Sequence, residues 1–133
     1  MAIQLSVDVR NARLNAIEVT IDASPVLEIY TGAPPANCAA PELGTLLASM
    51  TLPANWMGDA AAGSKALAGT WHDLVADDTG IAGHFRIYEA TKTTCHLQGT
   101  CGIGTGDLQL DNTSVAAGQV VTITAFTLTD GNS

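Results

Sequence analysis

Positive charge is scarce in this sequence. Five Lys and Arg stand against thirteen Asp and Glu over 133 residues, a formal net charge of −8. Five cations cannot build a patch that neutralises several phosphates, which argues against nucleic acid or an anionic membrane as a partner. Charge of either sign is sparse, at 14% of residues against roughly 25% in an average soluble protein. Aromatic residues are few as well: two Trp, two Tyr and two Phe. Some of these must serve the core, which leaves little for a sugar-stacking surface. The three cysteines, Cys38, Cys95 and Cys101, are an odd number and too few for a disulfide scaffold. They are expected as reduced thiols, with Cys95 acting as a small core hydrophobe. No apolar run approaches the ~20 residues that span a bilayer. The first ten residues have neither the basic start nor the continuous apolar stretch of a signal peptide, so synthesis in a cytoplasm is expected.

What is abundant is apolar: 47% of residues. The length suits one domain, residues 1–133, able to bury a core without staples. So few charges on so apolar a chain fit a surface hidden against other protein. A merely neutral surface of Ala and Thr would have the same composition.

The pattern predicts one helix and then strands. Ser6 can cap a helix over residues 7–22, with Asp8 in its first turn and Val7, Leu14, Ile17 and Ile21 on one side. Pro25 ends it. Strands are expected at 26–30 and 45–52, more weakly at 65–71, then at 84–88, 94–98, 107–110 and 119–129. In the second, Leu46, Ala48, Met50 and Leu52 face in and Leu47 faces out. Residues 32–41 read as a Pro-rich surface loop, 55–64 as a loop with a helical turn, 73–83 as a polar turn region, and 130–133 as a polar tail. The strands at 84–88 and 94–98 read as a hairpin with residue 86 opposite 96. Phe85 then faces Leu97 and Ile87 faces Cys95 on the apolar side, with His84, Arg86, His96 and Gln98 on the polar side. The fold class expected is mainly β, a jelly-roll-like antiparallel β-sandwich with one N-terminal helix, its strands lying within residues 26–129.

Candidate chemistry is thin. Asp78-Thr79-Gly80 matches an aspartic-protease tripeptide, but its flank is a polar turn. Cys95, His96, Cys101 and His84 lack the paired spacing of a zinc site, and neighbours on a strand point to opposite faces. Asp73, Asp77 and Asp78 lack the spacing of a calcium loop. His72 and Asp73 have no nucleophile beside them. Residues 102–106 are Gly-rich but have no following helix or Lys to cradle phosphate. No enzyme, cofactor or metal is expected.

Several segments carry a resemblance. They are Met1-Ala-Ile-Gln-Leu5, Arg10-Asn-Ala-Arg-Leu-Asn-Ala-Ile-Glu18, Tyr30-Thr-Gly-Ala-Pro-Pro-Ala-Asn-Cys38, Leu52-Pro53, Ala82-Gly-His-Phe-Arg-Ile-Tyr88, Thr94-Cys-His-Leu-Gln-Gly99 and Phe126-Thr-Leu-Thr-Asp-Gly-Asn132. Together they resemble small structural proteins of tailed bacteriophages, above all the head-decoration (cement) proteins of short-tailed phages such as those infecting Bordetella. The resemblance implies a jelly roll that binds, as a dimer, to the outside of an HK97-like shell, with the major capsid protein as partner. The virion's outer head surface is then its location, after synthesis in the host bacterial cytoplasm. A tail-associated or receptor- or carbohydrate-binding β-module is the alternative. Ile3, Leu5 and Val9 lie off the stripe built on Val7 and Leu14, which makes them the candidate capsid or dimer contacts.

Overall fold

Ser6 starts the helix as the sequence requires. Its backbone is extended and its hydroxyl accepts from Val9 N at 3.2 Å, satisfying one of the orphan amides of the first turn. Helix α1 runs Val7–Ile21, and Asp22 closes it with a positive φ that redirects the chain before Pro25. The structure is a computed structural model that describes residues 3–130; the first two residues of the opening motif and the last three of the polar tail lie outside the described residues.

Among the described residues nine strands follow: β1 (Val26–Thr31), β2 (Leu46–Thr51), β3 (Ser64–Ala66), β4 (His72–Asp73), β5 (Gly80–Tyr88), β6 (Cys95–Gly102), β7 (Leu108–Leu110), β8 (Ser114–Val115) and β9 (Val121–Thr129). They pair in the order β2-β1-β5-β6-β7-β9-β3, with β4 on β9 and β8 on β5. All of these pairings are antiparallel except the short one between β6 and β7. The chain is mainly β, one curled, antiparallel-rich sheet with a single helix at its N-terminal end. Inside the curl Leu27, Ile29, Leu47, Trp56, Trp71, Phe85, Ile87, Leu108 and Phe126 form the core. Trp71 and Phe85 both contact the Phe126 ring, with centroids 5.5 and 5.6 Å away.

The hairpin forms, but two residues out of the expected register. Arg86 lies opposite Gln98 rather than His96, and Ile87 opposite Leu97. The cause is the turn. The Glu89 carboxylate accepts from Thr91 Oγ1, from the amides of Thr93 and Thr94, and from Thr93 Oγ1, so it gathers residues 89–94 into a closed loop. A bulge between Ile87 and Tyr88 then places Cys95 opposite Tyr88. Cys95 therefore turns away from Ile87 and meets Arg86, whose Nε donates to its Sγ at 3.1 Å. Phe85 and Ile87 are buried as expected; Cys95 and Leu97 are half-buried.

Other local readings change for tertiary reasons. Leu47 is buried rather than exposed, because the 73–83 segment folds over it: Asp77 N donates to Leu47 O, and Gly80 packs on its side chain. The strand expected at 65–71 is only Ser64–Ala66, followed by an isolated bridge from Leu67 to Met57. The 55–64 loop has no helical turn and instead delivers Trp56 to the core. Val7 is exposed, so the buried stripe of α1 begins at Leu14. The second hairpin strand continues to Gly102, beyond its expected end at residue 98.

Phe85 sits where β5 meets the aromatic cluster. Phe85→Ala is expected to cost about 3–5 kcal/mol in urea unfolding. A loss under ~1 kcal/mol would mean that the cluster collapses around the gap.

Candidate interaction surface

Helix α1 is held to the sheet mainly by polar contacts. Lys65, buried in β3, sends its Nζ to Asn15 Oδ1 at 2.8 Å, Gly58 O at 2.7 Å and Glu18 Oε1 at 2.8 Å. All three ammonium protons thus have acceptors, which is what a buried Lys requires. Asn11 and Asn15 accept from the amides of Gly63 and Ala60, and Arg10 Nε donates to Asp130 O at 2.7 Å. Gly63 has a positive φ, and a Cβ there would stand 2.2 Å from Arg10 Nη2, so the close seat of the helix needs glycine. At the far end Trp56 Nε1 donates to Asp22 O at 3.0 Å.

Polar anchoring on the inner side leaves apolar residues on the outer side. Val9, Ala12, Ala16 and Val19 recur at alternating spacings of three and four, which places them along one helix face, and all four are exposed. Val19 is 77% exposed and Val9 45%. Of the candidates named from the sequence, Ile3 is 81% exposed and Leu5 half-buried, and Val9 belongs to this face. Val19 was not among them. Its signal was the spacing from Val9 through the two alanines, masked because alanine reads as neutral. A second apolar area lies where Asp73 pairs with Val121: Leu74, Val75 and Val120 are all exposed there.

The remaining polar candidates have structural partners. Asp78 Oδ1 accepts from Thr79 N in a turn. Asp73 accepts from the amides of Ser49 and Val75, which ties the 73–83 segment to β2. His96 Nε2 lies 3.3 Å from Glu89 Oε2, on the side of β6 away from Cys95. Among the described residues no group of three or more His, Cys, Asp and Glu could hold a metal ion.

The expected solvent face of β5 is instead a buried polar layer. His84 and Arg86 lie beneath the 32–45 loop together with Glu28 and Tyr30 of β1. Arg86 Nη2 donates to the carbonyls of Cys38 at 2.7 Å and Ala40 at 2.9 Å, and its guanidinium stands 5.6 Å from the Tyr88 ring centre. His84 stacks on Tyr30 at 5.2 Å and contacts Gly32 O through Nδ1 at 2.9 Å. Gly83 permits that approach, since a Cβ there would lie 2.2 Å from the same oxygen. The Tyr30 hydroxyl sits between Glu28 Oε1 at 3.1 Å and Glu42 Oε2 at 2.7 Å; burial, then the Tyr88 and Glu42 hydrogen bonds, hold it protonated well above its ordinary range. A cleft of about 480 Å³ opens over this layer, lined by Cys38, Glu42, Arg86, Tyr88, Thr93 and Cys95 among others.

No helix among the described residues is long and apolar enough to cross a membrane. Comparison with protein-family models, curated proteins and solved structures finds no match for this chain.

Two measurements test this arrangement. Lys65→Ala strands the Asn15, Gly58 and Glu18 acceptors and is expected to cost roughly 3 kcal/mol, with amide exchange in α1 accelerating first. Unchanged exchange would mean that the helix is held by its apolar contacts alone. In the hairpin turn, the Thr93 and Thr91 hydrogen bonds hold the Glu89 carboxyl far below its usual 4.5. Its folded-state pKa is depressed, so the turn keeps its stability above the unfolded value and loses it only as pH falls through the lower folded one. The amide signals of Thr93 and Thr94 are therefore expected to stay constant through pH 4.5 on acidification, and a midpoint at that pH would show the network to be absent.

Proposed function

We propose that this chain is a head-decoration (cement) protein of a tailed bacteriophage. It binds the outside of an HK97-like shell as a dimer and clamps neighbouring major capsid subunits, with its curled sheet arranged as a jelly-roll sandwich. The observation that carries this reading is the outward face of α1. A helix docked by Lys65, Asn11, Asn15 and Arg10 displays Val9, Ala12, Ala16 and Val19 to solvent. Small residues at helical spacing let a partner backbone approach closely, and apolar surface of this kind on a sparsely charged protein supports burial in an assembly. Ile3, Leu5 and Val9 extend the same contact toward the N-terminus. Acidity suits the outer surface of a head better than its DNA-filled interior.

The alternative of a tail-associated receptor- or carbohydrate-binding module has less support. All six aromatic residues, Trp56, Trp71, Phe85, Phe126, Tyr30 and Tyr88, are buried, which leaves none as a platform for a sugar ring.

A stable contact should bury at least ~1,000 Å² in total. The test is a double variant, Val9→Asp with Val19→Asp, titrated onto heads prepared without the protein. Both positions are exposed, so the fold should be preserved within ~0.5 kcal/mol. Occupancy at a given concentration is expected to require about tenfold more protein or worse. Wild-type attachment is expected to change little between roughly 0.05 and 0.5 M salt, because this face is nearly uncharged. Equal occupancy of the variant would remove α1 from the interface. Heads that open at the same temperature with and without the whole protein would overturn the cement role.

A further inference from the structure

Two cysteines distant in sequence line the same cleft over the buried polar layer. Cys38 belongs to the 32–45 loop and Cys95 opens β6, and both line the cleft beside Arg86 and Tyr88. Neither is fully buried. Arg86 joins the two segments: its Nη2 holds the Cys38 carbonyl at 2.7 Å while its Nε holds Cys95 Sγ at 3.1 Å. A buried, planar guanidinium with donors on both partners keeps the loop and the strand in one relative position. The third cysteine is elsewhere. Cys101 pairs with Leu108 of β7 and packs against the core.

We propose that Cys38 and Cys95 form a dithiol–disulfide exchange site, whose substrates are small oxidised disulfides and whose product is a reversible cross-link between the 32–45 loop and β6. The thiolate of one cysteine attacks a sulfur of oxidised glutathione; that S–S bond breaks and one glutathione leaves as thiolate. The second cysteine, deprotonated, attacks the protein-side sulfur of the mixed disulfide, the Cys38–Cys95 bond forms, and the second glutathione leaves. Two protein thiols are oxidised to one disulfide, the reagent is reduced to two thiols, and the two protons pass to the departing thiolates.

The surroundings set when this happens. Burial, then the contact with Cys95, push the Cys38 thiol up to about 11, so in a reducing cytoplasm near neutral pH it stays protonated. The Arg86 charge acts in the other direction and stabilises the thiolate once it forms. Cys101 is a built-in control: burial pushes its thiol up to about 12, and it has no cysteine beside it in the cleft. Closing the chain between residues 38 and 95 restricts the unfolded ensemble, so the oxidised form should melt at a higher temperature.

The experiment uses the intact folded chain. It is incubated with oxidised glutathione, its remaining thiols are blocked, and it is mapped without reductant. Titratable thiols in denaturant are expected to fall from three to one, with the peptides carrying Cys38 and Cys95 joined. The melting midpoint is expected to rise by about 5 °C or more and to return on reduction. Cys38→Ser and Cys95→Ser should each leave the surviving partner as a single glutathione adduct with no such rise. Three thiols persisting after prolonged incubation, stable separate adducts on Cys38 and Cys95, a bond that uses Cys101, or a cross-link without change in melting would each overturn the proposal.

Discussion

Arg86 and the layer around it are the constraint on which the rest of the molecule depends. An arginine in the middle of a strand normally marks the wet face of a sheet. Here the charge is buried, and its partners are backbone carbonyls, a thiol and an aromatic ring. Carbonyls of the 32–45 loop can supply those hydrogen bonds only if the loop lies flat over β1 and β5. Beneath it the Tyr30 hydroxyl sits between Glu28 and Glu42, and His84 meets Gly32 O through Nδ1. Glu28 finds Lys92, which reaches in from the hairpin turn at 2.9 Å. A buried ion is expensive unless its hydrogen bonds are satisfied, so the loop, the turn and the two strands are fixed together.

The same economy governs the helix. A docked helix usually turns its apolar stripe inward. Helix α1 does so only at Leu14 and Ile21, with Ile17 in partial support. Elsewhere its seat is made by Lys65, two asparagines and an arginine, all meeting the backbone or side chains of residues 58–65 and 130. That arrangement frees valine and alanine for the opposite face. The inversion bears on the proposed function: a directional polar seat fixes the orientation of the helix, and the uncommitted apolar face is what a partner would cover. A purely apolar seat would leave the rotation of the helix less well defined and its outer face polar.

The clamp over Arg86 and the exposed face of α1 lie on different elements, and under the proposed capsid role each would answer a different need. One ties the sheet to its covering loop through the Arg86 hydrogen bonds to Cys38 and Ala40. The other supplies apolar surface whose burial does not depend on salt.

The sequence by itself determined the elements whose signals are local. The Ser6 cap, the Pro25 stop, the alternation around Phe85 and Ile87, and the β-branched run before Thr129 fix a helix followed by strands, because capping, φ restriction and side-chain alternation act within a few residues. Scarce cations and scarce aromatics were equally legible, since composition needs no fold. Tertiary structure alone decided the rest. The hairpin register moved by two residues because one carboxylate, Glu89, organises its turn. Leu47 was buried because a segment some thirty residues later folds over it. His84 and Arg86 went inside because a Pro-rich loop brought carbonyls to them, and no periodicity records a hydrogen bond between residues 38 and 86. Of the exposed apolar residues near the N-terminus, Ile3 and Val9 were legible as lying off the expected stripe, whereas the spacing that leads to Val19 passes through two alanines and was not. Whether an apolar residue faces water depends on which side of the helix the sheet claims, and Lys65, fifty residues from Asn15, makes that choice.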